Sequence, residues 1–233
     1  MKKYLIALAL VGFATTSCYE KLNIAPPNRI TNDQIQELLK SDPEKAEAIM
    51  SSVAAGMVPL FHEKDIRDMG SADTRYYNYA DVACMRNLEA NDIAAMGTDL
   101  SGSVWGMAEY NLITVFGEHD DKVPPYWYLC WDNITAANKL LDNLPMSTVG
   151  DNKKLKQYRA MGLVTRAYFY NYLMENFQQA YMLDGQANYD NKLGMMLYTS
   201  FDPQQPYKAR ASAAETYDSI LKWSKDAVTL MKE

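Results

Sequence analysis

The sequence predicts an all-α protein, and three observations carry that prediction. In residues 153–178, Leu155, Tyr158, Gly162, Thr165, Phe169, Tyr172 and Phe177 recur at the three-to-five-residue steps that place apolar side chains on one face of a helix. Residues 125–143 repeat the pattern through Trp127, Cys130 or Trp131, Ile134, Ala137 or Asn138, and Leu141. Three segments, beginning at Thr31, Ser41 and Ser212, match the capping-box spacing of a hydroxyl followed three residues later by Gln or Glu.

The helix over 153–178 organises the rest. A second stripe, Ala160, Val164, Ala167, Tyr168 and residues 170–174, leaves its middle with almost no solvated side, as in a helix buried between neighbours. Ala160, Gly162 and Ala167 are small enough for close approach, and the tyrosines bury ring area while keeping a hydroxyl for a partner. Arg166 sits among apolar neighbours and therefore needs a buried carboxylate or backbone carbonyls.

In chain order, residues 1–17 have a basic start (Lys2, Lys3), an apolar run and small residues before Cys18, the pattern of a secretory signal peptide. Thr15-Thr16-Ser17-Cys18 reads as a lipobox with Thr15 in place of the usual Leu; plain signal-peptidase cleavage is the alternative. Acyl chains on Cys18 would hold the protein on a membrane. Residues 18–30, with Pro26-Pro27, form a tether. Helices are expected after Thr31 and Ser41, the second carrying Ala46, Ile49, Met50, Val53, Ala54 and Met57 and ending before Pro59. A weaker helix is expected over 77–89, between turn-rich stretches at 70–73 and 96–103. Those flanks put Asp73, Tyr76, Tyr77, Tyr79 and Trp105 on or near loops, where exported proteins place ligand-stacking aromatics; core aromatics under irregular loops are the competing reading. The acidic cluster Glu118-His119-Asp120-Asp121 reads as a helix N-terminus rather than a cation site. A short link through Gly150 makes the helices over 125–143 and 153–178 antiparallel neighbours. Residues 178–209 form a long polar connection without a convincing element. The box at Ser212 opens a helix to about Met231, with Tyr217, Ile220, Leu221, Ser224, Ala227, Val228 and Met231 facing inward.

Composition narrows the function. The formal charge is −6, and loss of a leader carrying two lysines and no acid takes it to −8. That excludes a phosphate-binding surface, so no nucleic-acid partner is expected. Tyr (17) far outnumbers Phe (6), which suits half-exposed rings on a soluble surface or ligand face as well as the edge of a helical core. With only His62 and His119, and no glycine-rich phosphate loop, zinc spacing or nucleophile elbow, the sequence offers no catalytic constellation. No cofactor or metal is expected. Cys84 and Cys130 lie in apolar helical patterns, as a disulfide in an oxidising compartment or as buried thiols.

Three pieces in order then resemble the SusD/RagB family of outer-membrane lipoproteins. They are Trp127-x3-Trp131-x2-Ile134-x2-Ala137-Asn138-x2-Leu141; Ala160-x-Gly162-x3-Arg166-Ala167-Tyr168-Phe169-Tyr170-x2-Leu173; and Arg210-x-Ser212-x2-Glu215-x-Tyr217-x2-Ile220-Leu221. Met161, Thr165 and Gln178-Gln179-Ala180 depart from the family pattern and mark a divergent member. The resemblance implies tetratricopeptide-like helix pairs with long irregular loops. It also implies a surface lipoprotein that binds glycan or peptide and sits over a SusC-type TonB-dependent transporter, without catalysis. Family members are longer, so 31–233 is expected to be the helical N-terminal domain, with the C-terminal part of the fold missing. A helical-repeat lipoprotein that docks another protein without a small ligand, or a non-functional fragment, is the alternative.

Overall fold

The computed structural model describes residues 32–57, 83, 87, 90, 123–178, 182–183, 186–187, 192–202 and 204–232. Its elements are α1 (Asn32–Ser41), α2 (Pro43–Ala55), α3 (Val123–Asn143), the short α4 (Met146–Val149), α5 (Lys153–Phe177) and α6 (Ala213–Lys232). A two-residue antiparallel pair, β1 (Met182–Leu183) with β2 (Gln186–Ala187), interrupts the connection before α6. The fold is all-α, as expected; this small hairpin and an isolated antiparallel bridge between Leu193 and Ser212 are added to the polar connection. Of the helix expected over 77–89, Ala83 and Asn87 are described, and both are helical.

α5 is the shared wall of two apolar cores. On one side Leu129, Ile134 and Leu141 of α3, Leu163, Phe169, Tyr170 and Leu173 of α5, and Ile220, Trp223 and Leu230 of α6 pack together. On the other, Ile35, Leu39, Met50, Ala54, Leu140, Leu144 and Leu155 join α1 and α2 to α3 and the start of α5. α3 and α5 run antiparallel, and their pairings descend in step: Leu141 against Gly162, Asn138 with Arg166, Trp131 with Tyr170, Trp127 with Phe177. A Cβ at Gly162 would lie 3.0 Å from Leu141 Cγ, so glycine sets how closely these helices approach. Polar ties fix the second layer: Gln36 Nε2 donates to Asn143 O at 2.6 Å, Arg159 to Leu144 O at 2.5 Å, and Lys154 pairs with Glu47 at 2.5 Å.

Asn152 caps α5 by accepting from Lys154 N and Leu155 N at 3.0 and 3.1 Å. The box at Ser212 forms as expected: Ser212 Oγ accepts from Glu215 N at 3.1 Å, and Glu215 Oε2 accepts from Ser212 N at 2.8 Å. The box expected at Ser41 is displaced by one residue. Ser41 ends α1, its hydroxyl donating to Glu37 O, and Asp42 caps α2 by accepting from Lys45 N at 3.2 Å. Pro43 is the reason, because a proline suits the first turn of a helix and drives the residue before it out of helical geometry.

Two faces also differ from expectation. α6 buries Ala213, Thr216, Ile220, Trp223, Ala227 and Leu230, whereas Leu221, Val228 and Met231 are 54%, 52% and 63% exposed. Trp223, the largest apolar side chain of that helix, sets the rotation by packing 5.2 Å from Tyr170 and under the Arg166 guanidinium. On α5, Val164 and Tyr168 are half-exposed, so its central part does keep one open side.

Candidate functional site

The segment between β2 and α6 is closed at its base by a clasp. Gly194 N donates to Ala211 O at 2.6 Å, Ala211 N to Met195 O at 3.0 Å, and Ala213 N to Lys192 O at 2.8 Å. Arg210 donates through Nε to Gly194 O at 2.6 Å and through a terminal nitrogen to Leu193 O at 3.1 Å. Met195 N reaches Thr216 Oγ1 at 3.1 Å, and that hydroxyl donates to Ser212 O at 2.9 Å. A Cβ at Gly194 would collide with Thr216 Oγ1 and stand 2.5 Å from Ser212 O, so the clasp tolerates no side chain there.

Beyond the clasp, the chain is laid across α3 and α5 by buried polar groups. Tyr170 OH accepts from Tyr198 N at 2.7 Å and donates to Met196 O at 2.9 Å. Asn138 Nδ2 donates to Tyr198 O at 2.9 Å. Arg166 donates to Asn138 Oδ1 at 3.2 Å and Thr199 O at 3.1 Å, with its guanidinium 4.3 Å from the centre of the Trp223 ring. Of the partners expected for Arg166, backbone carbonyl is the one found, joined by an amide and an aromatic face. Burial pulls this guanidinium down to about 10, with the Tyr170 hydroxyl opposing that shift, and it stays charged at neutral pH. Asp142 accepts from Phe201 N at 2.7 Å; burial pushes its carboxyl up, against the pull of that N–H and of Arg166.

These ties leave an open cleft of about 270 Å³ between α3 and the clasped loop. One wall is a single face of α3, with Trp131, Ile134, Thr135 and Asn138 at helical spacing. Tyr198, Phe201, Asp202, Gln205 and Tyr207 belong to the other wall. Tyr207 is fully exposed, Phe201 is 37% exposed with Lys139 Nζ 4.2 Å from its ring centre, and Tyr198 meets Trp131 edge-on at 5.7 Å. Asp202 Oδ1 accepts from Gln204 N at 2.8 Å, which sets the turn that carries Gln205 and Tyr207. The cleft therefore combines aromatic surfaces with an acid, an amide and a hydroxyl.

The sequence reading did not find it, because 178–209 scans as polar connection. Tyr198, Phe201 and Tyr207 around Asp202-Pro203 were the available signal. The expected ligand residues Asp73, Tyr76, Tyr77, Tyr79 and Trp105, the lipidation residue Cys18, the acidic cluster at 118–121 and Cys84 all lie outside the described residues. Cys130 is a free, fully buried thiol whose burial pushes it well above the ordinary thiol range. Among the described residues, no group of three or more His, Cys, Asp and Glu side chains could hold a metal ion, and no helix is long and apolar enough to cross a membrane.

Comparison with known proteins gives the family of this layered helical scaffold and its clasped aromatic loop. The family model SusD-like_3, described as "Starch-binding associating with outer membrane", matches residues 32–233, and the chain belongs to that family. The fold is also similar to that of a SusD superfamily protein from Bacteroides thetaiotaomicron VPI-5482, with a TM-score of 0.53 and 18% sequence identity. The match covers 79% of this chain and 37% of that one, so the chain spans little more than a third of the length of its structural relative. No curated protein matches the sequence.

Proposed function

We propose that this protein is a cell-surface lipoprotein of the outer membrane that binds glycan nutrients, of which starch is the first candidate, and passes them to a SusC-type TonB-dependent transporter. The observation that carries this reading is the family match across the whole helical region, 32–233. The sequence pattern supports it: a basic start and apolar run within 1–17, Thr15-Thr16-Ser17-Cys18 resembling a lipobox, and Pro26-Pro27 ahead of the scaffold. Recognition rather than catalysis is the proposed activity. Asp73, Tyr76, Tyr77, Tyr79 and Trp105, which the sequence puts on or near loops, are the proposed ligand residues.

The exposed stripe Leu221, Val228 and Met231 on α6 favours a second reading, in which the helical layer docks another protein and takes no small ligand. Binding separates the two. Trp105→Ala should weaken association with a soluble malto-oligosaccharide while leaving the melting temperature nearly unchanged; unchanged affinity, or a large loss of stability, removes Trp105 from the ligand face. Absence of any oligosaccharide binding by the unaltered protein refutes the glycan reading.

A further inference from the structure

We infer that the cleft between α3 and the clasped loop is a ligand subsite built for one neutral sugar ring of a glycan, from residues other than those proposed above as the ligand face. The inference rests on the glycan-binding reading and deepens it by assigning a place and a chemistry.

The argument starts from what each group in the cleft has left to offer. The nearby backbone groups are already committed: Tyr198 N to Tyr170 OH, Tyr198 O to Asn138, Thr199 O to Arg166, Phe201 N to Asp142. A peptide, which binds by exchanging main-chain hydrogen bonds, finds few partners here. Neither is there a cradle for an anion. Lys208 Nζ is turned to Leu197 O at 2.9 Å, Lys139 is held against Phe201, and Asp142 and Asp202 carry the opposite charge. What remains is aromatic surface with neutral and acidic polar groups beside it. Tyr207 is fully exposed, so both faces of its ring are open to a ligand. The C–H bonds of a pyranose face are weakly positive and fit the negative face of such a ring, as positive edges do in aromatic pairs. Thr135, Asp202 and Gln205 also line the cleft; one Gln205 N–H is turned to Ser200 O at 3.3 Å, which leaves its amide oxygen, the second Asp202 oxygen and the Thr135 hydroxyl to meet vicinal hydroxyls of the same sugar. At about 270 Å³ the cleft falls just below the roughly 300 Å³ at which drug-sized pockets begin, the scale of a short piece of a chain and not of a whole oligosaccharide.

The tryptophans make this testable in one spectrum. The chain has four, at 105, 127, 131 and 223, and their indole N–H signals can be followed individually in the ¹⁵N-labelled full chain in detergent. On titration with a soluble malto-oligosaccharide, the Trp131 signal should shift saturably, since its ring forms the cleft wall and its buried Nε1 meets no acceptor among the described residues. Tyr207→Ala should weaken the affinity read at Trp131 by roughly 2- to 13-fold, the range of an aromatic stacking contribution, with no change in melting temperature. Asp202→Asn should keep the stacking and lose part of the affinity. If the Trp105 signal moves while Trp131 stays fixed and Tyr207→Ala binds normally, the cleft assignment is overturned and glycan binding stands. If no signal moves and no binding is measured, both fall.

Discussion

Substituting Gly194 with alanine tests the clasp that shapes the cleft. The new methyl carbon would overlap Thr216 Oγ1 and stand 2.5 Å from Ser212 O. A flexible side-chain tip could move aside, but Ser212 O is backbone and anchors the start of α6 by accepting from Thr216 N at 3.0 Å. Overpacking of this kind costs about 1–3 kcal/mol. Displacing Thr216 also loses its bond from Met195 N, a further ~1 kcal/mol. Alanine's smaller unfolded-state entropy returns only about 0.4–1 kcal/mol. The net loss is then roughly 1–3.6 kcal/mol, and at about 2–4 °C per kcal/mol for a domain of this size the melting temperature should fall by about 2–14 °C. Thermal unfolding followed by far-UV circular dichroism reads this directly. Adding Thr216→Ala should recover only part of the loss, since the carbonyl contact remains. A single Gly194→Ala variant that melts within about 1 °C of the parent would refute the reasoning, because the chain would have to pass the clasp with room for a side chain.

Other perturbations probe the supports one at a time. Tyr170→Phe removes the acceptor of Tyr198 N and the donor to Met196 O, leaving buried backbone groups unpaired; a loss of about 1–3 kcal/mol and faster hydrogen exchange at the Tyr198 amide should follow, and unchanged exchange would show that the loop is held otherwise. Ser212→Ala should cost about 1 kcal/mol through the lost α6 cap, read as a lower denaturant midpoint at constant slope. The pH dependence of the box has a defined sign: the Ser212 backbone N–H and then its hydroxyl hold the Glu215 carboxyl below its ordinary range, so the contribution is present above the unfolded carboxylate range and fades as pH falls through the folded value. The parent should therefore lose stability faster than Glu215→Gln on acidification, and parallel acid limbs would contradict the capping box. Finally, in a Cys18→Ser, Cys84→Ser background the Cys130 thiol should resist aromatic disulfide reagents at mildly alkaline pH until the protein unfolds, since it is buried and held protonated; rapid labelling of the folded protein would rule out the packing of α3 against α5.

Helix identity was legible in the sequence wherever one face had to be apolar, because a 3.6-residue period is a property of the segment itself. The helices α2, α3, α5 and α6 therefore lie close to where their periodicity places them. What the periodicity could not show was which of two adjacent apolar stripes on α6 faces inward. Leu221, Val228 and Met231 compete with Ile220, Trp223 and Leu230 on equal hydrophobic terms, and the choice is made by partners on another helix, Tyr170 and Arg166. The displaced α2 cap had a local cause in Pro43, visible in the sequence and outweighed there by the better-known box spacing. The cleft was hidden for a third reason. Its loop owes its path to single long-range bonds from Tyr170, Asn138, Arg166 and Asp142, and non-periodic tertiary bonds leave no pattern in the segment that receives them. Arg166 was the exception, since a charge between apolar neighbours announces a buried partner even when it does not name one.

The proposal that this chain binds a glycan is tested most directly by isothermal titration of a soluble malto-oligosaccharide into the full chain in detergent. Saturable binding is predicted, with a heat that grows more exothermic as temperature rises, because sugar faces cover aromatic rings and apolar burial carries a negative heat-capacity change. No heat of binding at millimolar sugar, across temperatures where the helices remain folded, would contradict it.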